Sequence, residues 1–242
     1  MSTLADWPGA KRRNPPRSDP TYAVRFHLAR WVEDEARRAA DDFGQFRVLD
    51  IGCGQKPYYP YFAEHVEEYV GVDLVEDNPM ADLHAPVEDL PVEDSSFELV
   101  LCTQVLEHCG VPDQAIAELY RVTAPGGRVL VSTHRVQVFH PSPVDHWRWT
   151  HTGLELLFLR NGAWASVSVR PAGGIATCLT AVAAIYVSLL FRRAHLGPVA
   201  KGLVWLLNTL GASLDRRFPG MRAMRPGSIF VNYHVIAEKA GA

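Results

Sequence analysis

The chain has 242 residues, 48% of them hydrophobic, and a formal net charge of −3. That is enough apolar material for one substantial core, and the slightly acidic balance excludes a general nucleic-acid binder. Cys53, Cys102, Cys109 and Cys178 have neither disulfide-framework nor metal-ligand spacing, which reads as free thiols in a reducing cytoplasm.

In chain order, residues 1–20 are proline-rich and basic and read as a flexible N-terminal arm. Val24, Leu28, Trp31 and Val32 at helical spacing predict a helix that leads into "FRVLDIG", a buried strand ended by glycine. A short helix through Phe62 and Val66 is expected next, then a strand "EYVGVDL", a strand "FELVLCT", and a helix "PDQAIAELYRV" stopped by Pro-Gly-Gly. "GRVLVSTH" is a further strand and "THTGLELLFLRNG" a further helix. This alternation predicts an α/β fold, a doubly wound, mainly parallel sheet. "WASVSVRP" and "SIFVNYHVIAEK" predict an antiparallel edge hairpin, interrupted by an apolar and basic helical insertion. The expected division is an arm over 1–20, a core over 21–173, the insertion over 174–227, and a final edge strand with the tail over 228–242.

"VLDIGCGQKPY" places two glycines and a carboxylate at a strand's carboxyl end, where ligands gather in such sheets. It is not a phosphate loop, because no Lys-Ser or Lys-Thr follows the second glycine. Pro57 stands where a dinucleotide turn wants its third glycine, which disfavours a nicotinamide dehydrogenase, and Asp50 would oppose a pyrophosphate. S-adenosylmethionine carries a sulfonium, an ammonium and a carboxylate but no phosphate, and it suits a carboxylate beside open backbone N–H groups. Asp73, at the end of the following strand, is placed for ribose hydroxyls.

"VLDIGCGQKPY", "YVGVDL", "VEDLPVEDSSFELVLCTQVLEH" and "ELYRVTAPGGRVLVSTH" occur in the order seen in class I methyltransferases of the type-11 group, which this chain resembles over about residues 46–134. The resemblance implies a Rossmann-like fold and S-adenosylmethionine as cofactor. It implies that Asp50, Gly52 and Gly54 hold the methionine part and Asp73 the ribose. It puts Pro86, Val87 and Glu88 beside adenine, and Thr103 and Gln104 at the methionine end. Two departures stand out. Lys56 occupies a position that is glycine in many members, free to contact the cofactor carboxylate or an anionic substrate. Pro86 stands where the adenine loop usually offers an aspartate, which leaves recognition to backbone groups or Asp89.

The segment "STHRVQVFHPSPVDHWRWTHTG" supplies the candidate chemistry. His134, His140 or His146, with Asp145 as a carboxylate partner, is a candidate general base; each also reads as a loop-bracing residue. Trp147 and Trp149 are candidates to cover the acceptor, and Arg148 to hold an anionic group. His108 reads equally as an active-site neighbour and as a helix-start residue. No metal is expected, because these histidines lack an i, i+4 pair or a cysteine partner.

The expected function is methyl transfer to a small or lipid-linked acceptor; the alternative is a non-catalytic cofactor-binding protein at a membrane surface or partner. Pro171–Phe191 has 21 residues without a charge, and residues 174–225 carry seven basic residues against one acid, Asp215. Three readings of this insertion stand: a lid over the active site, a surface that lies on an anionic membrane, or a dimer face or additional core. The expected location is the cytoplasm, peripheral on the inner face of the membrane in the second reading.

Overall fold

The computed structural model describes residues 4–139 and 142–241. Among these residues the strands are β1 Phe46–Ile51, β2 Val66–Asp73, β3 Leu83–His84, β4 Phe97–Thr103, β5 Thr123–His134, β6 Trp164–Ala172 and β7 Asn232–Lys239. They form one sheet in the order β3-β2-β1-β4-β5-β7-β6. All neighbours from β3 to β5 are parallel, and β7 is antiparallel to both β5 and β6. The α-helices are α1 Ala10–Arg13, α2 Tyr22–Phe43, α3 Pro112–Val122, α4 His151–Arg160, α5 Ile175–Arg193 and α6 Gly197–Arg217.

The central strands are buried on both faces, which is why they read as largely apolar runs. Alternate residues serve two cores. Val48, Leu99, Leu101 and Leu130 pack with Leu28, Val32 and Ala36 of α2. Leu49, Val100, Val129 and Val131 pack with Ile116 and Leu119 of α3 and with Leu154 and Phe158 of α4. The chain leaves β1 in one direction through β2 and β3, and returns to its other side with β4. The order therefore reverses between β1 and β4, and a crevice opens there at their carboxyl ends.

Several expectations are corrected. The arm is not loose over its described residues: the Arg13 guanidinium donates to the carbonyls of Trp7, Pro8 and Pro57, and Trp7 Nε1 donates to the Lys56 carbonyl at 2.8 Å. Three backbone acceptors converging on one buried guanidinium fasten this segment to the glycine turn, which short-range composition does not reveal. The helix expected through Phe62 and Val66 is a single 3-10 turn, Tyr59–Tyr61, and Val66 already belongs to β2. The final strand is not the edge: β7 inserts between β5 and β6, so β6 lies outermost. The two-residue β3 was too short to give a periodic signal.

The insertion is a helical hairpin as expected, but its second helix runs 21 residues rather than the 13-residue apolar run. Asp215 near the end of α6 caps α5, accepting from the N–H groups of Ala176 (3.1 Å) and Thr177 (3.0 Å). A Cβ on Gly211 would lie 2.1 Å from Thr180 Oγ1, so the two helices meet where α6 has no side chain. Asn208 Nδ2 donates to the carbonyls of Arg17 and Asp19, which ties α6 to the segment before α2.

Candidate functional site

After β1 the backbone turns through Gly52 (φ 67°), Gly54 (φ 50°) and Lys56 (φ 48°), the left-handed region that glycine enters without steric penalty. Any Cβ on Gly52 would also meet Val105 Cγ2 at 2.3 Å, so β1 and the segment after β4 approach through that glycine. The turn is pinned to the end of β2: Gly54 N–H donates to Asp73 Oδ2 at 2.9 Å, and Asn78 Nδ2 donates to the same oxygen and to the Gly54 carbonyl.

A cavity of about 430 Å³ lies in the crevice. Of the residues read from the sequence, Gly52, Asp73, Pro86, Val87, Glu88, Gln104 and His108 line it together. Sequence reasoning missed Leu74, Val75, Val105, Cys109 and Pro143 in the wall. Leu74 and Val75 follow the acidic strand end directly and are exposed, an apolar pair in a turn, which is the signal that was available. Glu88 Oε1 accepts from the N–H groups of Gly110 (2.7 Å) and Val111 (3.2 Å), bracing the start of α3. Gln104 donates through Nε2 to Ser132 Oγ at 3.0 Å, while its buried Oε1 has no hydrogen-bond partner among the described residues.

Other predicted residues stand outside this wall. Asp50 is buried behind the turn, where its Oδ2 accepts from Tyr69 Oη at 2.7 Å. Burial pushes its carboxyl up to about 7, against the opposing effect of that hydrogen bond. Lys56 is folded under the loop onto Asp82, and its Cε fills the space a Cβ on Gly71 would need. That corrects the expectation of a lysine free for a ligand anion. Thr103 ends β4, in register with Ser132.

The segment over residues 142–149 is strapped across the region after β4. His108 Nδ1–H donates to the Val144 carbonyl at 2.8 Å, the N–H groups of His146 and Trp147 donate to the Glu107 carbonyl, and Trp147 Nε1 donates to the Cys109 carbonyl. Trp147 and Trp149 stack with centroids 5.5 Å apart. Arg148 makes a two-point ion pair with Asp145, so its expected role as an open anion clamp is corrected. His146 is exposed, and His140 lies outside the described residues.

His134, at the end of β5, has a carboxylate neighbour that sequence reasoning did not select. Its Nε2 lies 3.5 Å from Glu107 Oε1 and 3.5 Å from Gln137 Nε2. Glu107 is fully buried, and its Oε2 accepts from Thr133 Oγ1 at 2.8 Å. Desolvation pushes its carboxyl up to about 7. The raised carboxyl thus stands within reach of the His134 imidazole as a proton-exchange partner.

Residues 49–131 match a family model described as a methyltransferase domain. A malonyl-acyl-carrier-protein O-methyltransferase of Erwinia billingiae is 33% identical over 117 residues, 45% of this chain and 46% of the relative. A ubiquinone biosynthesis O-methyltransferase of Mesorhizobium japonicum is 34% identical over 109 residues, 40% and 44% of the two chains. The chain thus spans just under half the length of these relatives. Among solved structures, the fold is similar to a SAM dependent methyltransferase from Archaeoglobus fulgidus (TM-score 0.54, 17% identity, 87% of this chain and 94% of that one). It is also similar to the 4+2 cyclase SpnF (TM-score 0.56, 16% identity, 88% and 82%). At such identities these two likenesses bear on the fold alone. With the motif order and the switch-point cavity, the match identifies residues 49–131 as a methyltransferase domain of the type-11 group.

Proposed function

We propose that this chain binds S-adenosylmethionine in the β1/β4 crevice and transfers its methyl group to a small or lipid-linked acceptor. The observation that carries this reading is one cavity that unites Gly52, Asp73, the 86–88 loop and Gln104 at the switch point. The donor set fits the cofactor. Asp73 offers carboxylate oxygens to ribose hydroxyls, Leu74, Val75, Pro86 and Val87 offer apolar walls to adenine, and the unpartnered Gln104 Oε1 is an acceptor for the ammonium. Asp50 and Gly54 act one layer back, by shaping the turn, and Thr103 by supporting Gln104.

When bound, the cofactor supplies an electrophilic methyl carbon on a sulfonium. The chain's task is then to hold the acceptor in line and exclude water. His108 and Pro143 close one side of that space. The relatives' names specify O-methyl transfer, which supports an oxygen acceptor here. Where that oxygen carries a proton, His134 Nε2 takes it, and Glu107 stabilises the resulting imidazolium. Held by Asp73, the 86–88 loop and Gln104, the cofactor would supply the methyl group to that oxygen, its sulfur keeping the electron pair of the broken carbon–sulfur bond.

The proposed location is the cytoplasm, peripheral on the inner face of a membrane, supported by the apolar and basic character of residues 174–225. Incubation with methyl-labelled cofactor and fractionated lipid and metabolite extracts tests the reaction. A labelled product supports it, and no transfer to any fraction refutes it.

A further inference from the structure

The α5–α6 hairpin is apolar on the outside. The most apolar stretch of α5 has a mean hydropathy of 1.8, yet only 28% of it is buried. Its inward side is built from small residues, Ala176, Cys178, Ala181 and Ala184, while Leu179, Tyr186, Leu189 and Leu190 face out. On α6, Val199, Leu203, Leu206 and Leu210 recur at helical spacing and are exposed, with Trp205 half exposed beside them. Scattered apolar side chains on a surface need no explanation, but a run of this size does.

The charges are sorted in the same way. Arg192, Arg193, Lys201, Arg216, Arg217 and Arg222 are all exposed. The one acid of the segment, Asp215, is 4% exposed and is consumed in capping α5. The outer surface of the hairpin therefore offers hydrocarbon and positive charge with no compensating carboxylate.

We propose that this hairpin lies flat on an anionic phospholipid bilayer, with its leucines among the acyl chains and its arginines and Lys201 at the headgroups. This deepens the proposed peripheral location by naming the surface and the lipid class. A second copy is a poorer occupant, because a two-fold contact through this face sets like charges against each other. A transmembrane span is opposed by the anchoring of the hairpin: its α5 start is held by Asp215, and Asn208 bonds the segment before α2. The inner side of α5 borders a second cavity. Ala181 and Ile185 wall an apolar cavity of about 240 Å³ whose other wall includes Gln137, the side chain 3.5 Å from His134 Nε2. This cavity offers the apolar part of a lipid-linked acceptor a berth between α5 and Gln137.

The test is co-sedimentation of the full chain with vesicles of phosphatidylglycerol and phosphatidylcholine, against phosphatidylcholine alone. Partition into the anionic vesicles is expected, weakened by salt and lowered about tenfold or more by R192S/R193S/R216S/R217S, and also by L203Q/L206Q. Both variants should retain wild-type affinity for S-adenosylhomocysteine, so a failed cofactor reading shows in calorimetry without touching the vesicle result. A wild-type chain that stays in the supernatant overturns the proposal. So does partition indifferent to both variants, or a solution dimer that L203Q/L206Q dissociates.

Discussion

His134 Nε2 lies 3.5 Å from Glu107 Oε1, pairing the end of β5 with the segment that follows β4. Glu107 has no solvent exposure, and its carboxyl is raised from 4.5 to about 7 by desolvation. In that window the folded chain holds a proton that the unfolded chain has released, so stability falls as pH rises and the penalty is complete above about 7. Glu107→Gln keeps an acceptor for Thr133 and removes the titration. Denaturant unfolding at about pH 5 and about pH 8 should show the wild type losing up to about 3 kcal/mol more than the variant across that interval. An identical pH slope in both would show that Glu107 is already ionised at the lower pH.

The same pair governs the proposed proton transfer. His134→Asn should slow methylation of a hydroxyl acceptor by about 100-fold or more while leaving S-adenosylhomocysteine affinity unchanged. Glu107→Gln should slow it less and shift the pH–rate profile, because it alters the imidazolium's partner rather than the accepting nitrogen. A carboxylate acceptor has no proton to lose, and with it both variants should retain wild-type rates in single-turnover measurements.

Asp73 is bonded to the glycine turn and lines the cavity. Asp73→Ala should weaken S-adenosylhomocysteine binding by about tenfold or more, the scale of a charge-assisted hydrogen bond. Asp73→Asn keeps one oxygen for Gly54 N–H and should fall between. Calorimetric titration separates the three proteins.

Asp215 satisfies two backbone N–H groups at the start of α5. Asp215→Ala leaves both without a carboxylate in a buried place and should destabilise the chain by about 1–3 kcal/mol. Gly174→Ala should act in the same direction, since its Cβ would lie 2.5 Å from the Asp215 carboxyl carbon. Hydrogen exchange should localise both effects to the α5–α6 hairpin.

The layered sheet and about half of the cavity wall were legible in the sequence because both depend on local signals. Two-sided burial gives Val48–Ile51 and Leu99–Cys102 their apolar runs, and left-handed turns call for Gly52 and Gly54. What was hidden depends on contacts between distant segments. Arg13 reaches Pro57, Lys56 turns to Asp82, and Tyr69 bonds Asp50 across two strands; none of these pairs leaves a trace in spacing. Asp50 differs most from its sequence expectation. A carboxyl raised to about 7 and held by a tyrosine is a weaker negative charge than the sequence suggests, and Asp73 takes its place in the cavity. Glu107 was visible beside His108 but carries meaning only once β5 sets His134 against it.

Titration of the full chain with S-adenosylhomocysteine and, separately, with NADH addresses the central claim. Saturable heat with the sulfur compound at one site, lost or strongly reduced in Asp73→Ala, and none with NADH, is the predicted result. Tight NADH uptake with no response to S-adenosylhomocysteine would contradict it.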